Sequence, residues 1–343
     1  MKIKTACALL LLLPCVLSAK QNAAENAPEW IATPYQKYSS DSYFAAVGSG
    51  TAKTAAELRV IEQLVAVFGR NVSSARSAES SQSSVQSDAV SEIVQQSSLN
   101  QQVLIEVAQK DLIGIEIPET FFDERRNEWY ALTVLNKRTT ADLYASILQK
   151  HDETIQMQLA RAERLADSMD KLACLYKACQ LARLSEQLFP RFFVISPEQC
   201  TKARKAAVSP EALSAKLNDC AAKIPVAMFV QNDSNGIIQT ACEETLRSLG
   251  MAVSPQGAKY ALNVSITTAY RSVQNPATEF CEFTLTAQCA DTAGTVLVPW
   301  QLAKRAGGKT AEMATQKAYA LMAEKIRSDY KECFELYLFG DGK

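Results

Sequence analysis

Three kinds of residue in this chain are equipped for chemistry: glycine turns ahead of helix patterns, a single histidine, and ten cysteines. Gly48-Ser49-Gly50 lies between a strand pattern, Tyr43 to Val47, and a helix pattern opening near Thr54. A dinucleotide-binding turn has that placement, because its backbone N–H groups and helix N-terminus meet a pyrophosphate. The fingerprint needs a third glycine where Lys53 stands, so the pair reads as a tight strand-to-helix corner. Gly307-Gly308-Lys309-Thr310 has the ending of a phosphate loop, but the required first glycine falls on Ala303. It reads as a flexible entry to a last helix with Thr310 as its cap. No cofactor is expected.

His151 is the only histidine, which removes any site with two imidazole ligands and any triad built without it. It falls on the apolar stripe of a long helix pattern, so an imidazole in a helix seam is the expectation, not a general base. Serine–lysine catalysis is not removed by counting. The serines cluster, however, in Ser73 to Ser91, nine of them, a solvated arm or loop that would position nothing. No catalytic or metal-binding residue is assigned.

Lys2 and Lys4 precede the apolar run Ala6 to Val16, and Leu17-Ser18-Ala19 offers a small residue before a cut. The pattern predicts a signal peptide over residues 1–19 and an exported mature chain, in the periplasm or associated with the outer membrane. Cys15 is the lipidation candidate, although Pro14 beside it is a poor match to a lipobox. Without the leader, 34 Lys+Arg stand against 37 Asp+Glu, which leaves no basic stripe for nucleic acid. Eight cysteines survive: Cys174, Cys179, Cys200, Cys220, Cys242, Cys281, Cys289 and Cys333. Their even number in an exported chain favours disulfides, and no Cys-x-x-Cys pair marks a zinc or redox site. If Leu172 to Leu188 pairs antiparallel with Pro210 to Ala222, Cys179 and Cys220 come opposite one another as the candidate bridge.

The elements that would hold these residues form an α+β chain. Residues 20–41 are polar, with Pro28 and Pro34, and read as a tether whose Trp30 packs back. In residues 42–138 a strand leads to a helix with Leu58, Ile61, Leu64, Val65 and Phe68 on one face. A strand through Ile113, Ile115 and Ile117 ends at Pro118, and an alternating one runs from Trp129 to Leu135, which predicts a sheet with one helical face. Residues 139–222 form a helical connector whose stripe includes Leu143, Ile147, His151, Ile155 and Leu159. A break near Asp167 to Lys171, or a hairpin returning along Pro210 to Ala222, would bury that stripe, with Pro190 and Pro197 in the connection. In residues 223–343, strand patterns occur at Pro225 to Val230, Tyr260 to Tyr270, Glu279 to Ala290 and Thr295 to Leu302. Helices at Gly236 to Leu249 and Thr310 to Phe334 make this an α/β sheet domain with helices on one face.

Pro28-Glu29-Trp30, then Tyr43-Phe44-Ala45-Ala46-Val47-Gly48-Ser49-Gly50, an alanine-rich helix, and Glu128-Trp129-Tyr130-Ala131-Leu132-Thr133-Val134-Leu135 together resemble the LPP-twenty lipoprotein family of bacterial envelope proteins. The same domain is similar to the N-terminal part of flagellar assembly protein T. The resemblance covers about Trp30 to Arg138 and implies an envelope domain for assembly or structure, with no enzymatic activity. By element order alone, Ile224 to Leu338 looks like α/β domains of periplasmic assembly factors, such as those of the Tol-system propeller protein and the curli secretion channel. The expected function is a non-catalytic envelope scaffold with protein partners, flagellar or secretion components among them, and no nucleic acid. The alternatives are an envelope hydrolase, or a lipid or glycan carrier using the C-terminal domain. The sequence fixes no oligomeric state.

Overall fold

The computed structural model describes residues 27–80, 113–272 and 278–340. The leader and Cys15 lie outside the described residues. The chain divides into two units, Met1–Val67 with Gly114–Lys137 and Phe68–Ile113 with Arg138–Lys343, and it has the α+β architecture expected.

In the first unit a helical turn, Glu29–Ile31, and a short helix α1 (Pro34–Lys37) precede β1 (Tyr43–Gly50), α2 (Lys53–Ser80), β2 (Ile115–Asp123) and β3 (Glu128–Asn136). The three strands form one antiparallel sheet in the order β1-β3-β2. Successive side chains of a strand point to opposite faces, and both faces of β3 are buried. Tyr130, Leu132 and Val134 cluster with Trp30, while Ala131 clusters with Ala56 and Val60 of α2.

Several expectations change here. Gly48 and Gly50 are not a turn beyond the strand; they are its last residues, opposite Ala131 and Trp129. A Cβ on Gly48 would stand 2.7 Å from the Val60 nitrogen, and one on Gly50 would stand 2.8 Å from that of Ala56. The helix backbone therefore rests on the strand, and this approach selects its buried side: Ala56, Val60 and Leu64 face inward, whereas Leu58 and Val65 are exposed. Pro118 does not end its strand. It sits at a register shift between Glu116 and Glu119 on the edge strand β2, where a residue without an N–H is tolerated. Helix α2 also runs on to Ser80, into the segment expected as a loop; the rest of that segment lies outside the described residues.

The second unit opens with helices: α3 (Lys137–Arg164), α4 (Met169–Ile195), α5 (Pro197–Ala206) and α6 (Pro210–Ala222). The sheet portion follows as β4 (Val226–Gln231), α7 (Ile237–Ser248), β5 (Tyr260–Ser272), β6 (Glu279–Asp291), β7 (Val296–Gly308), α8 (Ala311–Lys325), a wide turn Ile326–Tyr330 and α9 (Lys331–Phe339). The strand order is β4-β5-β6-β7, with β4 parallel to β5 and the others antiparallel. Cys281, Phe283, Leu285, Ala287 and Cys289 alternate along β6 as its buried face, packed with Ile238 and Cys242 of α7, Ala318 and Met322 of α8, and Phe334 of α9.

The break expected near Asp167 is present. Ser168 caps α4 by accepting from the Lys171 N–H, at 3.3 Å, an interaction worth about 1 kcal/mol, and Lys171 reaches back to Asp167 at 2.9 Å. The return arm is present too, since Arg183 of α4 donates to Ser214 of α6 at 3.2 Å. Pro190, expected in the connection, is instead a buried residue inside α4, and Pro197 opens α5. On α3 the inward residues are Thr140, Ala141, Tyr144, Leu148 and Ile155, and Leu143 is exposed. Residues 139–222 are more than a connector. Met169, Leu172 and Ala173 belong to the core under the four-stranded sheet, and the Met169 N–H donates to the Tyr260 hydroxyl at 3.0 Å.

The candidate bridge between Cys179 and Cys220 is not formed. All eight described cysteines are free thiols, and no two are at disulfide distance. The reason is helix register: Cys179 lies 3.3 Å from Ser214, and Cys220 is six residues further along α6, about 9 Å at 1.5 Å per residue. Cys220 instead lies in the core cluster with Leu172 and Ala173.

Candidate functional site

His151 is the one imidazole of the chain. Its Nδ1 lies 3.0 Å from the Ser185 hydroxyl, which joins α3 to α4. Ser185 also lies 3.0 Å from the Leu181 carbonyl one turn back. Ser185 has one hydroxyl proton for the Leu181 carbonyl and Nδ1, and the imidazole tautomer decides which of them takes it. Burial lowers the His151 pKa, so the ring is neutral at pH 7 and pins two helices together. Beside it a cavity of about 210 Å³ is lined by Leu148, Ile155, Ala182, Phe189 and Val208, with Asp152 and Glu186 among them.

The two glycine motifs have one geometry in common. Gly308 ends β7 as Gly50 ends β1, and a Cβ on Gly308 would meet the backbone nitrogen of Ala314, six residues on, as Gly50 meets Ala56. Thr310 caps α8, accepting from the Met313 N–H at 3.2 Å. Both motifs let a helix lie against the strand before it, and Gly307 and Gly308, expected as a flexible entry to the helix, are instead paired residues at the end of β7. Near the first of them Ser49 donates to Glu128 at 2.7 Å, and the Tyr130 hydroxyl donates to the same carboxylate at 3.1 Å. These hydrogen bonds, that from Ser49 foremost, hold the Glu128 pKa down.

The cysteine sulfurs are poor nucleophiles where they stand. Burial, the first cause in each case, pushes Cys242 and Cys289 up to about 12 and raises Cys220, Cys281 and Cys333 as well. Thiolate is the reactive form. Among the described residues no group of three or more His, Cys, Asp or Glu is placed to hold a metal ion, and no helix is long and apolar enough to cross a membrane.

What the second unit does offer is surface. Among the described residues its sheet-packing helices share the inner face, and none of its elements lies on the opposite face. Register places Asn263, Ser265 and Thr267 of β5 beside Gln288, Thr286 and Thr284 of β6, with Gln301 and Ala303 of β7 next to them. The β5 residues and those of β7 are exposed. Charge enters at one end, where Arg271 pairs with Glu282 at 3.2 Å and Arg305 lies over the Phe280 ring. Phe229 on β4 adds an exposed aromatic at the other. The middle is a neutral, hydrogen-bonding sheet surface.

A second open feature lies where β4 ends. Asn235, Ile237, Tyr270, Glu312 and Tyr319 line a cleft of about 450 Å³. Tyr270 and Thr315 hydroxyls are 3.0 Å apart, and the Tyr319 hydroxyl donates to the Asn232 carbonyl at 2.8 Å. The sequence assigned none of these residues. One signal was present: the strand pattern at Pro225 to Val230 is about half as long as its neighbour at Tyr260 to Tyr270, and two adjacent strands of unequal length leave an edge. Ser185 gave no signal, because its partner is 34 residues away and the helix register that joins them is a tertiary fact.

No family model matches this chain, and no curated protein matches it. Among solved structures, the chain is similar to the secreted protein HP1454 from the human pathogen Helicobacter pylori, with 16% identity over 86% of this chain and 98% of that one and a TM-score of 0.43. A minor lipoprotein from Acinetobacter baumannii is 15% identical over 34% of this chain and 91% of its own, with a TM-score of 0.26. A chain of the PelC dodecamer from Paraburkholderia phytofirmans is 16% identical over 32% of this chain and 86% of its own, with a TM-score of 0.22.

Proposed function

We propose that this chain is an exported, non-catalytic protein of the bacterial cell envelope that works by holding protein partners. One observation carries the reading. Among the described residues the helices that pack on the four-stranded sheet share one face, and its other face presents a neutral row of Ser265, Thr267, Thr284, Thr286 and Gln301, side chains able to exchange hydrogen bonds with a partner. The charged start and apolar run of the leader support export. The LPP-twenty-like motifs of the first unit support a place in envelope assembly, with flagellar or secretion components as the partner class. In this reading His151, drawn into the seam of α3 and α4 where burial lowers its pKa, ties two helices and is not the base of a hydrolase.

The test is crosslinking in intact cells followed by purification from the envelope fraction. A reproducible crosslink to one or a few envelope proteins is the expected result. Recovery of a bound lipid, glycan or other small molecule, with no protein crosslinked, would overturn the scaffold reading in favour of the carrier.

A further inference from the structure

Strand β5 outruns its neighbour. β4 stops at Gln231, opposite Ser265, while β5 continues to Ser272 and stays paired with β6 along its other side. The Asn232 side-chain amide, just past the end of β4, donates to the Ile266 carbonyl at 2.9 Å, so that carbonyl points to the β4 side. Backbone groups alternate in direction along a strand. The N–H and C=O of Thr268 and Tyr270 therefore point to the same side, where the sheet has no further described strand. Residues 268–270 are exposed. Such a row of open donors and acceptors is a template for one more strand.

The cleft beside this edge has the shape and charge to select what is added. Its apolar wall is Ile237, Tyr270, Tyr319 and Ala320, and both tyrosines are held by their hydroxyls before anything binds. Its charge is negative. Glu312 is the one ionisable carboxylate in the lining, which contains no lysine or arginine. Close behind Tyr319, Asp233 keeps a buried Oδ1 without a hydrogen-bond partner, while its Oδ2 accepts from the Gln239 N–H at 2.8 Å.

We propose that this edge and cleft bind an extended, basic segment of a partner protein by strand addition. The segment continues the line of β4, its backbone pairs with Thr268 and Tyr270, and alternate side chains turn into the cleft. One of these is apolar and packs against the two tyrosines; a lysine or arginine two residues away meets Glu312, with the Asp233 carboxylate adding negative potential from behind. The inference rests on the protein-partner reading above and names the site and chemistry for it.

The probe is a fluorescein-labelled heptapeptide, Thr-Lys-Thr-Val-Thr-Lys-Thr, titrated against the full mature chain by anisotropy. Two further copies are N-methylated at alternate residues, one in each register, and a third has glutamate for lysine. The expected result is binding of the parent, loss of at least about tenfold for one N-methylated copy, and weaker binding of the glutamate copy. Absence of parent binding, equal binding of both methylated copies, or equal binding of the glutamate copy would overturn the proposal. Thr268→Pro removes the N–H on the free side and leaves the β6 ladder intact, so it should lower affinity by the same about tenfold. Glu312→Lys, on an exposed residue, should reverse the preference between the lysine and glutamate peptides and serves if the proline variant does not fold. A cellular crosslink that persists in Thr268→Pro would leave the partner reading standing and remove this site.

Discussion

The two sheets of this protein differ in how many of their faces are covered. In the first unit β3 is buried on both sides, by Trp30 and its neighbours on one and by Ala56 and Val60 of α2 on the other. In the second unit β6 alternates between buried and partly exposed residues, because the described helices that pack on that sheet lie on one side. The first sheet has its described packing on both faces, whereas the second leaves the hydroxyl and amide side chains of one face open.

The largest expected effect comes from opening the closed sheet. Trp30 is buried at 5% exposure and forms the cover on the face of Tyr130, Leu132 and Val134, so Trp30→Ala should cost about 3–5 kcal/mol. Urea denaturation followed by tyrosine and tryptophan fluorescence measures it, and a cost under about 1 kcal/mol would show that this face does not depend on its cover.

Next comes the strand-to-helix corner of the second unit. Gly308→Ala drives a methyl into the backbone of α8, where no flexible side chain can yield, and overpacking of this kind costs about 1–3 kcal/mol. Gly257→Ala is the control: its φ of +69° strains an alanine, but there is open space around it, so its cost should be about 1 kcal/mol. If the control costs as much as Gly308→Ala, then close approach is not what the β7 glycine supplies.

Half of this contrast was written in periodicity. The alternation Cys281, Phe283, Leu285, Ala287, Cys289 announces a half-covered strand, whereas the alternation expected over Trp129 to Leu135, with helix on one face only, misses the second cover that Trp30 and its neighbours supply. The cap at Thr310 and the break at Asp167 were equally local and equally legible. What failed were statements requiring a third dimension. Cys179 and Cys220 missed one another because the offset between two packed helices is set by side-chain fit, here Cys179 against Ser214. Leu58 and Leu143 scored as inward by spacing and point outward, because glycines on β1 draw in Ala56 and Val60, and Tyr144 turns inward on α3. The β5 edge was half-legible: two strand lengths could be read, but which strands are neighbours could not.

The smallest expected effect is also the sharpest test of the contrast, because it compares one residue type on the two central strands. Thr133 on β3 is fully buried, and its hydroxyl donates to the Glu116 carbonyl at 2.9 Å beside the β2 bulge. Thr286 on β6 faces the uncovered side between Ser265 and Gln301. Thr133→Val keeps shape and deletes that hydrogen bond, leaving a carbonyl short of a partner, for about 1 kcal/mol. Thr286→Lys places a long cation on a strand interior and should still change stability by no more than about 0.5 kcal/mol, since its ammonium reaches water directly. Lysine is the informative choice because it is tolerated only where space and solvent are both present. A loss of 2 kcal/mol or more at Thr286, read as a lower denaturation midpoint at unchanged slope, would mean that something packs on this face in the free protein. A second copy of the chain is then the first thing to look for, and the loss would diminish as the protein is diluted.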